Sequence, residues 1–204
     1  MISAGSLSRP ALRRQLRQAR RNLNPLQQRQ AARALYRQLA QHPLFRRARS
    51  IALYLPNDGE IDPGLLLQEA WRRGKAVFIP RLARWPASRM LFQQIKPGEA
   101  LQNNRFRIAE PVANRARQRK YWSLDLILLP LVGFDEYGGR LGMGGGFYDR
   151  SLAGMLRYKT RRTPLLIGLA HDCQKVDRLI LKPLDVPPAA CVTDRRLFIT
   201  AAKP

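Results

Sequence analysis

The sequence has little cysteine and no long apolar run. Its two cysteines, Cys173 and Cys191, form no CxxC pair, which disfavours a thiolate zinc site. No apolar stretch approaches the ~20 residues that a membrane-spanning helix needs. The opening MISAGSLSRPALRRQ has no apolar segment of the kind found in secretory signals. We therefore expect a cytoplasmic protein with free thiols.

Acidic residues are also scarce. Fourteen Asp and Glu oppose 37 Lys and Arg, the formal net charge is +23, and no acid precedes Asp58. Such a surface attracts polyanions: nucleic acid, nucleotide phosphates or polycarboxylates. A compositional bias toward arginine without a function explains the charge equally well, because the basic residues are spread along the chain. No RNP, KH or helix-turn-helix pattern is present, so nucleic-acid binding remains an alternative and not the main hypothesis.

Two basic amphipathic helices are predicted within residues 10–42. Asn24 and Pro25 are typical of a helix cap followed by proline at the first helical position. The first helix has an apolar face, made by Leu12, Leu16, Ala19 and Leu23. It also has a basic stripe, made by Arg9, Arg13, Arg17 and Arg20. A solvated face is the better interpretation for most of these arginines; a nucleic-acid arm, a membrane-surface segment or a lid that brings arginines to a phosphate are alternatives.

From about residue 48, short apolar strands alternate with helices. The segment DPGLLLQEAWRRGK predicts a helix with Asp62 as its N-cap and Gly74 at its end, between the strands SIALYLP and AVFIP. YWSLDLILLPLVGF contains the longest apolar run and predicts a central strand; further strands are predicted at MLFQQI, PLLIGLA and ACVTDRRLFIT. This alternation predicts a parallel sheet with helices on both faces. Residues 96–120 are polar and predict an irregular surface segment.

Six of the fourteen glycines lie in GGRLGMGGGFYDRSL, residues 138–152, between the predicted central strand and a helix. A glycine-rich turn of this kind exposes main-chain N–H groups to phosphate oxygens, and the helix N-terminus adds partial positive charge. No GK[ST] follows, so it is not a Walker A motif. Asp149 is either a magnesium ligand or an acid that favours the helix N-terminus. Arg140 and Arg150 bracket the loop and can neutralise phosphate charge.

The stretch LDLILLPLVGFDEYGGRLGMGGGFYDRSL closely resembles the signature of the 5-formyltetrahydrofolate cyclo-ligases. The resemblance continues in order through LRRQLRQARRNL, IALYLPNDGEID, GKAVFIPRL, FRIAEP, IGLAHDCQ and PLDVPPAACVTD. It implies a three-layer α/β/α fold with a mostly parallel sheet. It also implies one cyclo-ligase domain over residues 1–204, with an N-terminal helical arm, residues 1–45, packed on it. We expect a monomer that acts on small molecules, with no membrane partner.

The resemblance implies conversion of 5-formyltetrahydrofolate to 5,10-methenyltetrahydrofolate, with ATP as co-substrate and Mg²⁺ as cofactor. Phosphorylation of the formyl oxygen makes it a leaving group, and N10 of the folate closes the ring. Catalysis then consists mainly of positioning and charge neutralisation. The polyglutamate tail of cellular folates gives the basic surface a second possible use, as an electrostatic attractor.

Site residues follow from the same resemblance, position by position. Asp149 and Asp185 match the magnesium ligands. The positions that match ATP-binding residues are Arg9, Arg13, Arg140, Leu141, Gly142, Met143, Gly144, Gly145, Gly146, Phe147 and Tyr148. The positions expected to face the folate are Leu55, Glu60, Met143, Gly144, Gly145, Gly146 and Phe147. We expect Arg140, Tyr148 and Arg150 to take part in catalysis.

The loop departs from the family pattern at two positions. Many members carry a basic residue where Met143 stands and a lysine where Gly145 stands, so Arg140, Arg150 or the N-terminal arginines must compensate. Two alternatives remain. One is another small-molecule kinase or ATP-dependent ligase on the same fold. The other is a Cys-His hydrolase built on His171 and Cys173, which is disfavoured because no nucleophile elbow is recognisable.

Overall fold

The computed structural model describes residues 7–83, 89–157, 163–183 and 185–200. Residues 1–6 of the predicted arm lie outside this range. Six helices are described: α1 (Arg9–Arg21), α2 (Pro25–Leu39), α3 (Pro43–Arg47), α4 (Gly64–Arg72), α5 (Phe147–Leu152) and α6 (Gly154–Arg157). Short 3₁₀ helices span Arg115–Arg117, Tyr121–Ser123 and Asp172–Gln174. The first six strands are β1 (Ser50–Ala52), β2 (Ala76–Leu82), β3 (Met90–Gln94), β4 (Leu101–Asn103), β5 (Ala109–Pro111) and β6 (Gln118–Arg119). The remaining six are β7 (Leu126–Pro130), β8 (Gly133–Phe134), β9 (Arg140–Leu141), β10 (Leu165–Leu169), β11 (Ala190–Val192) and β12 (Leu197–Ile199).

The main sheet has eight strands in the order β12-β11-β10-β7-β1-β2-β3-β6. Its five inner strands, from β11 to β2, run parallel, and β12, β3 and β6 are antiparallel additions at the two edges. The predicted βαβ unit is confirmed, because α4 joins β1 to the parallel strand β2. The predicted central strand is confirmed as β7, which pairs with β1 and β10.

Side chains of β7 alternate between two apolar cores. Leu126 and Leu128 join the core that α2, α3 and α4 cover, whereas Ile127 and Leu129 join the core beneath α5 and the 3₁₀ helix Tyr121–Ser123. All four are fully buried. This alternation is expected where helices cover both faces of a sheet, and it confirms the three-layer α/β/α fold.

Helix α1 packs across the carboxyl end of the sheet. It joins a third apolar cluster, made by Leu12, Leu16, Val132, Leu141, Val176 and Leu179. A Cβ at Gly133 would lie 2.6 Å from Leu16, so this glycine permits the close approach. Asn24 caps α2 as predicted: its side chain accepts from the Gln27 main-chain N–H at 2.9 Å, and the Gln27 side chain returns the bond.

The segment 96–120 is more ordered than its composition predicts. It contains the antiparallel pair β4–β5 and the edge strand β6. Glu110 fixes it to the sheet by accepting a hydrogen bond from the Leu82 main-chain N–H at 3.1 Å. The prediction of an irregular segment was therefore wrong, because three-residue polar strands carry no apolar alternation that a sequence pattern can detect.

No helix in the described ranges is long and apolar enough to cross a bilayer.

Candidate active site

The basic stripe of α1 faces the protein. Each of its arginines contacts a different group near the glycine-rich loop or the β1–α4 connection. Arg9 Nη2 lies 3.2 Å from Asp185, Arg13 Nε donates to the Gly142 carbonyl at 2.8 Å, and Arg17 and Arg20 bind Asp58 at 2.7 and 2.9 Å. The prediction that most of these arginines form a solvated face was wrong. Because they are engaged within the fold, the alternative of a nucleic-acid arm loses its main support.

The glycine loop, residues 142–146, presents largely uncovered main chain. A Cβ at Gly142 would meet nothing within 4 Å, so there is open space beside the backbone. Gly144 and Gly146 have φ values of +100° and +62°, which side-chain-bearing residues rarely adopt. Gly146 is the N-cap of α5. A loop of this form can receive phosphate oxygens at its N–H groups.

Other parts of the nucleotide stretch are buried. Leu141 is fully buried with Leu12 and Leu16, so only its main chain can face a ligand. Met143, by contrast, is half-exposed. The positions assigned to the nucleotide stretch thus divide between support of the loop and access to its open side.

The two predicted magnesium ligands lie beside one buried arginine. Arg140 is 5 % exposed; its Nε donates to the Val186 carbonyl at 2.6 Å and its Nη2 pairs with Asp149. Val186 follows Asp185, which accepts from Arg9 and from the Lys182 main-chain N–H at 2.9 Å. In the ranges that the structure describes, no three His, Cys, Asp or Glu side chains form a metal-binding group. Two carboxylates nevertheless suit Mg²⁺, which takes oxygen ligands and keeps several waters.

An aromatic pair covers the side of the glycine loop. Phe147 packs edge-on against Phe106, with ring centres 5.6 Å apart. The guanidinium of Arg150 lies 5.4 Å from the Phe147 ring centre, and its Nη2 also donates to the Gly145 carbonyl. Phe106 was missed in the sequence, since it belongs to the polar segment 96–120; its one signal was a large apolar side chain in that segment.

Glu60 lies in a tight turn after β1. Its N–H donates to the Asn57 carbonyl at 3.0 Å, and its carboxylate accepts from the Asn57 N–H at 3.2 Å. The two central residues, Asp58 and Gly59, both have positive φ, +54° and +75°, as in a type I′ turn. We call residues 57–60 the acidic turn. Leu55, just before it, is partly buried against the main core.

The two acids of this turn have opposite pKa shifts. Burial opposes ionisation of Asp58, but hydrogen bonds from Arg17, Arg21 and Arg20 prevail and lower its pKa to about 2. Burial raises the pKa of Glu60 to about 7, although the Arg20 charge counteracts part of that rise. The acidic turn therefore holds one permanently charged carboxylate and one that titrates near neutral pH.

Two tyrosine hydroxyls lie near Glu60. Burial, with a smaller contribution from the Glu60 charge, raises the pKa of both Tyr54 and Tyr148. Tyr54 donates to the Ile61 carbonyl at 2.7 Å and so fixes the exit of the turn. Tyr148, on α5, keeps its proton at neutral pH and remains a hydrogen-bond donor.

The residues of the hydrolase alternative serve a different purpose. His171 Nε2 lies 3.2 Å from the Gly59 carbonyl, and burial lowers the pKa of this imidazole. Burial raises the pKa of Cys173 to about 11, so its thiol stays protonated. These features argue against a Cys-His nucleophile. Both residues line a groove of about 890 Å³ beside α2, which the sequence did not predict.

Comparison with known proteins agrees with this geometry. A model of the 5-formyltetrahydrofolate cyclo-ligase family matches residues 6–194. The chain is 39 % identical to 5-formyltetrahydrofolate cyclo-ligase of Escherichia coli K12 over 183 residues, which is 90 % of this chain and 98 % of that protein. It is 38 % identical to the Haemophilus influenzae cyclo-ligase, over 88 % of this chain and 94 % of that one. The solution structure of Aquifex aeolicus 5,10-methenyltetrahydrofolate synthetase superposes with a TM-score of 0.80 at 27 % identity, covering 97 % and 95 % of the two chains. The chain belongs to the 5-formyltetrahydrofolate cyclo-ligase family.

Proposed function

We propose that this protein converts 5-formyltetrahydrofolate to 5,10-methenyltetrahydrofolate at the end of the sheet where α1 crosses it, with ATP as co-substrate. Family membership makes it a ligase of folate metabolism. The single observation that carries the proposed site is the uncovered main chain of the glycine loop beside Asp149. The other contacts then divide between the nucleotide and the folate.

The glycine loop binds the terminal phosphates of ATP. Open space next to Gly142 admits phosphate oxygens to the backbone, and the guanidinium of Arg13 lies beside Gly144. Arg150 adds a second cation at Gly145. These cations stand in for the basic side chains that many members carry at positions 143 and 145. Charge-assisted hydrogen bonds of this type are stronger than neutral ones.

Asp149 and Asp185 would hold Mg²⁺ beside the phosphates. Their arginine partners, Arg140 and Arg9, orient the carboxylates and leave other oxygens available. Bound there, Mg²⁺ would neutralise charge on the phosphates. Arg140 itself is buried beneath Asp149 and supports that carboxylate.

Glu60 and Leu55 bind the pterin end of the folate. A carboxylate accepts hydrogen bonds from pterin N–H groups, and Leu55 supplies an apolar neighbour. Because most of the Glu60 side chain is buried, with 11 % exposed, its hydrogen bonds form in a site of low dielectric constant and are strong.

The reaction needs positioned substrates and no protein nucleophile. The formyl oxygen attacks the γ-phosphorus, ADP leaves, and the carbon becomes an N5-iminium phosphate. N10 then attacks that carbon, loses its proton, and inorganic phosphate departs with the former formyl oxygen. Arg13 and Arg150 stabilise charge on the transferred group, and the Tyr148 hydroxyl donates a hydrogen bond near it.

The test is an absorbance assay for methenyltetrahydrofolate, starting from 5-formyltetrahydrofolate and ATP with added Mg²⁺. The wild-type protein should form product only when ATP and Mg²⁺ are both present. Asp149→Ala should lose at least about 100-fold in kcat/KM, because the carboxylate nearest the phosphates is gone. Absence of product from the wild type rejects the activity; an active Asp149→Ala variant rejects only the metal role.

A further inference from the structure

Arg20 carries a charge that is completely buried. Its side chain has no exposed surface, yet it is a guanidinium in the middle of α1. Burying such a charge is costly unless its donors find partners. Those partners come from three separate parts of the chain: Nε and Nη2 donate to the Asp58 carbonyl and carboxylate at 2.8 and 2.9 Å, and Nη1 donates to the Leu131 carbonyl at 3.3 Å.

The same guanidinium lies between the two proposed substrate sites. Its Nη2 is 3.7 Å from the Glu60 carboxylate and 3.9 Å from the sulfur of Met143 in the glycine loop. Leu131 immediately follows the central strand β7. Arg20 thus joins the acidic turn to the end of the sheet, which is the rigid part of the molecule.

The acidic turn needs such a support. Asp58 has a positive φ, a conformation that costs a residue with a side chain about 1 kcal/mol or more. Gly59 lies so close to α1 that an added Cβ would be 3.3 Å from the Arg20 carbonyl oxygen. Gln28 donates to that oxygen at 3.2 Å and to the Gly59 carbonyl at 3.4 Å. Both the side chain and the main chain of Arg20 therefore fix the turn.

We propose that Arg20 is a positioning residue for folate binding: it holds the acidic turn so that the Glu60 carboxylate meets the pterin in a fixed place. The proposal rests on the folate role that we propose for Glu60. Arg20 acts through Glu60 and does not itself contact the reacting atoms.

Arg20 also influences the ionisation of Glu60. The charged and titratable groups that face this carboxylate are Arg20 and Arg17 from α1, Asp58 from its own turn, Tyr54 from the end of β1 and Tyr148 from α5. Arg20 exerts the largest effect that lowers the pKa of Glu60. Removing its charge therefore raises that pKa above about 7, and folate binding then requires a higher pH.

The test compares Arg20→Met and Arg20→Lys with the control Arg21→Met. Arg21 binds the same Asp58 carboxylate from the solvent side of the same helix, and its side chain is 47 % exposed. Arg20→Met should raise KM for 5-formyltetrahydrofolate about tenfold while KM for ATP changes less than about twofold. It should also move the acidic limb of kcat/KM for the folate about one pH unit upward.

The lysine variant separates charge from geometry. It keeps the cation but cannot form the fork to Asp58 and Leu131, so the pH limb should stay in place while the folate KM rises about threefold. Arg21→Met should match the wild type in both KM values and in the pH profile. Normal folate KM and pH limb in the folded Arg20→Met variant would overturn the proposal.

Two further variants cover other outcomes. If Arg20→Met fails to fold, Asp58→Asn removes the acceptor while keeping its shape, and it should raise the folate KM without altering KM for ATP; an unchanged folate KM overturns the proposal. Glu60→Gln tests the underlying assignment. If Glu60→Gln binds folate normally, the proposed role of Glu60 fails; if it binds poorly while the Arg20 variants bind normally, only the Arg20 proposal fails.

Discussion

The acidic turn and the glycine loop lie on either side of α1 and differ in how they are held. Three arginines and a histidine fix residues 57–60, so the turn is complete before any substrate arrives. The glycine loop is fixed through two of its carbonyls, at Gly142 and Gly145, by Arg13 and Arg150. We infer that one side of the site is preorganised for folate, whereas phosphates complete the other side.

The electrostatic contrast within the acidic turn can be broken by Glu60→Gln. The pKa of Glu60 is about 7 in the folded protein, above its ordinary value of 4.5. Between these values the folded state binds more protons than the unfolded state, so stability falls as pH rises from about 4.5 to about 7 and then levels. Glu60→Gln should remove this decline, worth about 2–3 kcal/mol.

The measurement is urea unfolding at pH 5 and pH 8. The wild-type protein should lose that amount relative to the variant at the higher pH, and Asp62→Asn, an exposed acid on the same connection, serves as the control. Equal pH dependence of wild type and Glu60→Gln would show that Glu60 ionises normally in the folded protein.

The open side of the site can be filled by Gly142→Ala. The added Cβ meets only space, and the φ of Gly142 is not positive, so folding should be nearly unaffected, with a change in Tm below about 2 °C. A phosphate that lies against the backbone would collide with the new methyl group. We expect KM for ATP to rise about tenfold and KM for folate to stay within about twofold.

These values follow from steady-state kinetics with each substrate varied in turn, together with thermal denaturation of the protein alone. An unchanged KM for ATP would remove Gly142 from the phosphate site. A large fall in Tm would instead mean that the space beside it belongs to the folded core.

The smallest effect is expected from Met143→Arg, which sharpens the comparison by adding a fixed cation to the loop. Position 143 is half-exposed, so a guanidinium can extend toward the phosphates. KM for ATP should fall about two- to threefold at low salt, and the gain should shrink at high ionic strength. Met143→Leu, which adds no charge, should show neither change in the same assay.

Local signals in the sequence predicted most of the fold. The Asn24–Pro25 cap, the β1–α4–β2 unit and the central strand β7 each depend on a few neighbouring residues, and each is confirmed. The position of Asp149 in the first turn of α5 is confirmed for the same reason. Its role as a metal ligand depends on the resemblance and stays a prediction.

Long-range pairing limited the prediction of the site. Arg20 and Leu131 are 111 positions apart, so nothing near Arg20 in the sequence distinguishes it from a solvated arginine. Phe106 reaches Phe147 only because β4 and β5 form a hairpin that their composition does not predict. In both cases the decisive partner lies in a remote segment, beyond the range of periodicity or capping rules.

The contact between Arg9 and Asp185 joins residues 176 positions apart. During synthesis on the ribosome, the first helix emerges long before its acidic partner has been translated. A nascent chain therefore has no finished phosphate end until nearly all of it has left the exit tunnel. Premature termination ahead of Asp185 should yield inactive fragments, so that ATP is not consumed by half-made enzyme.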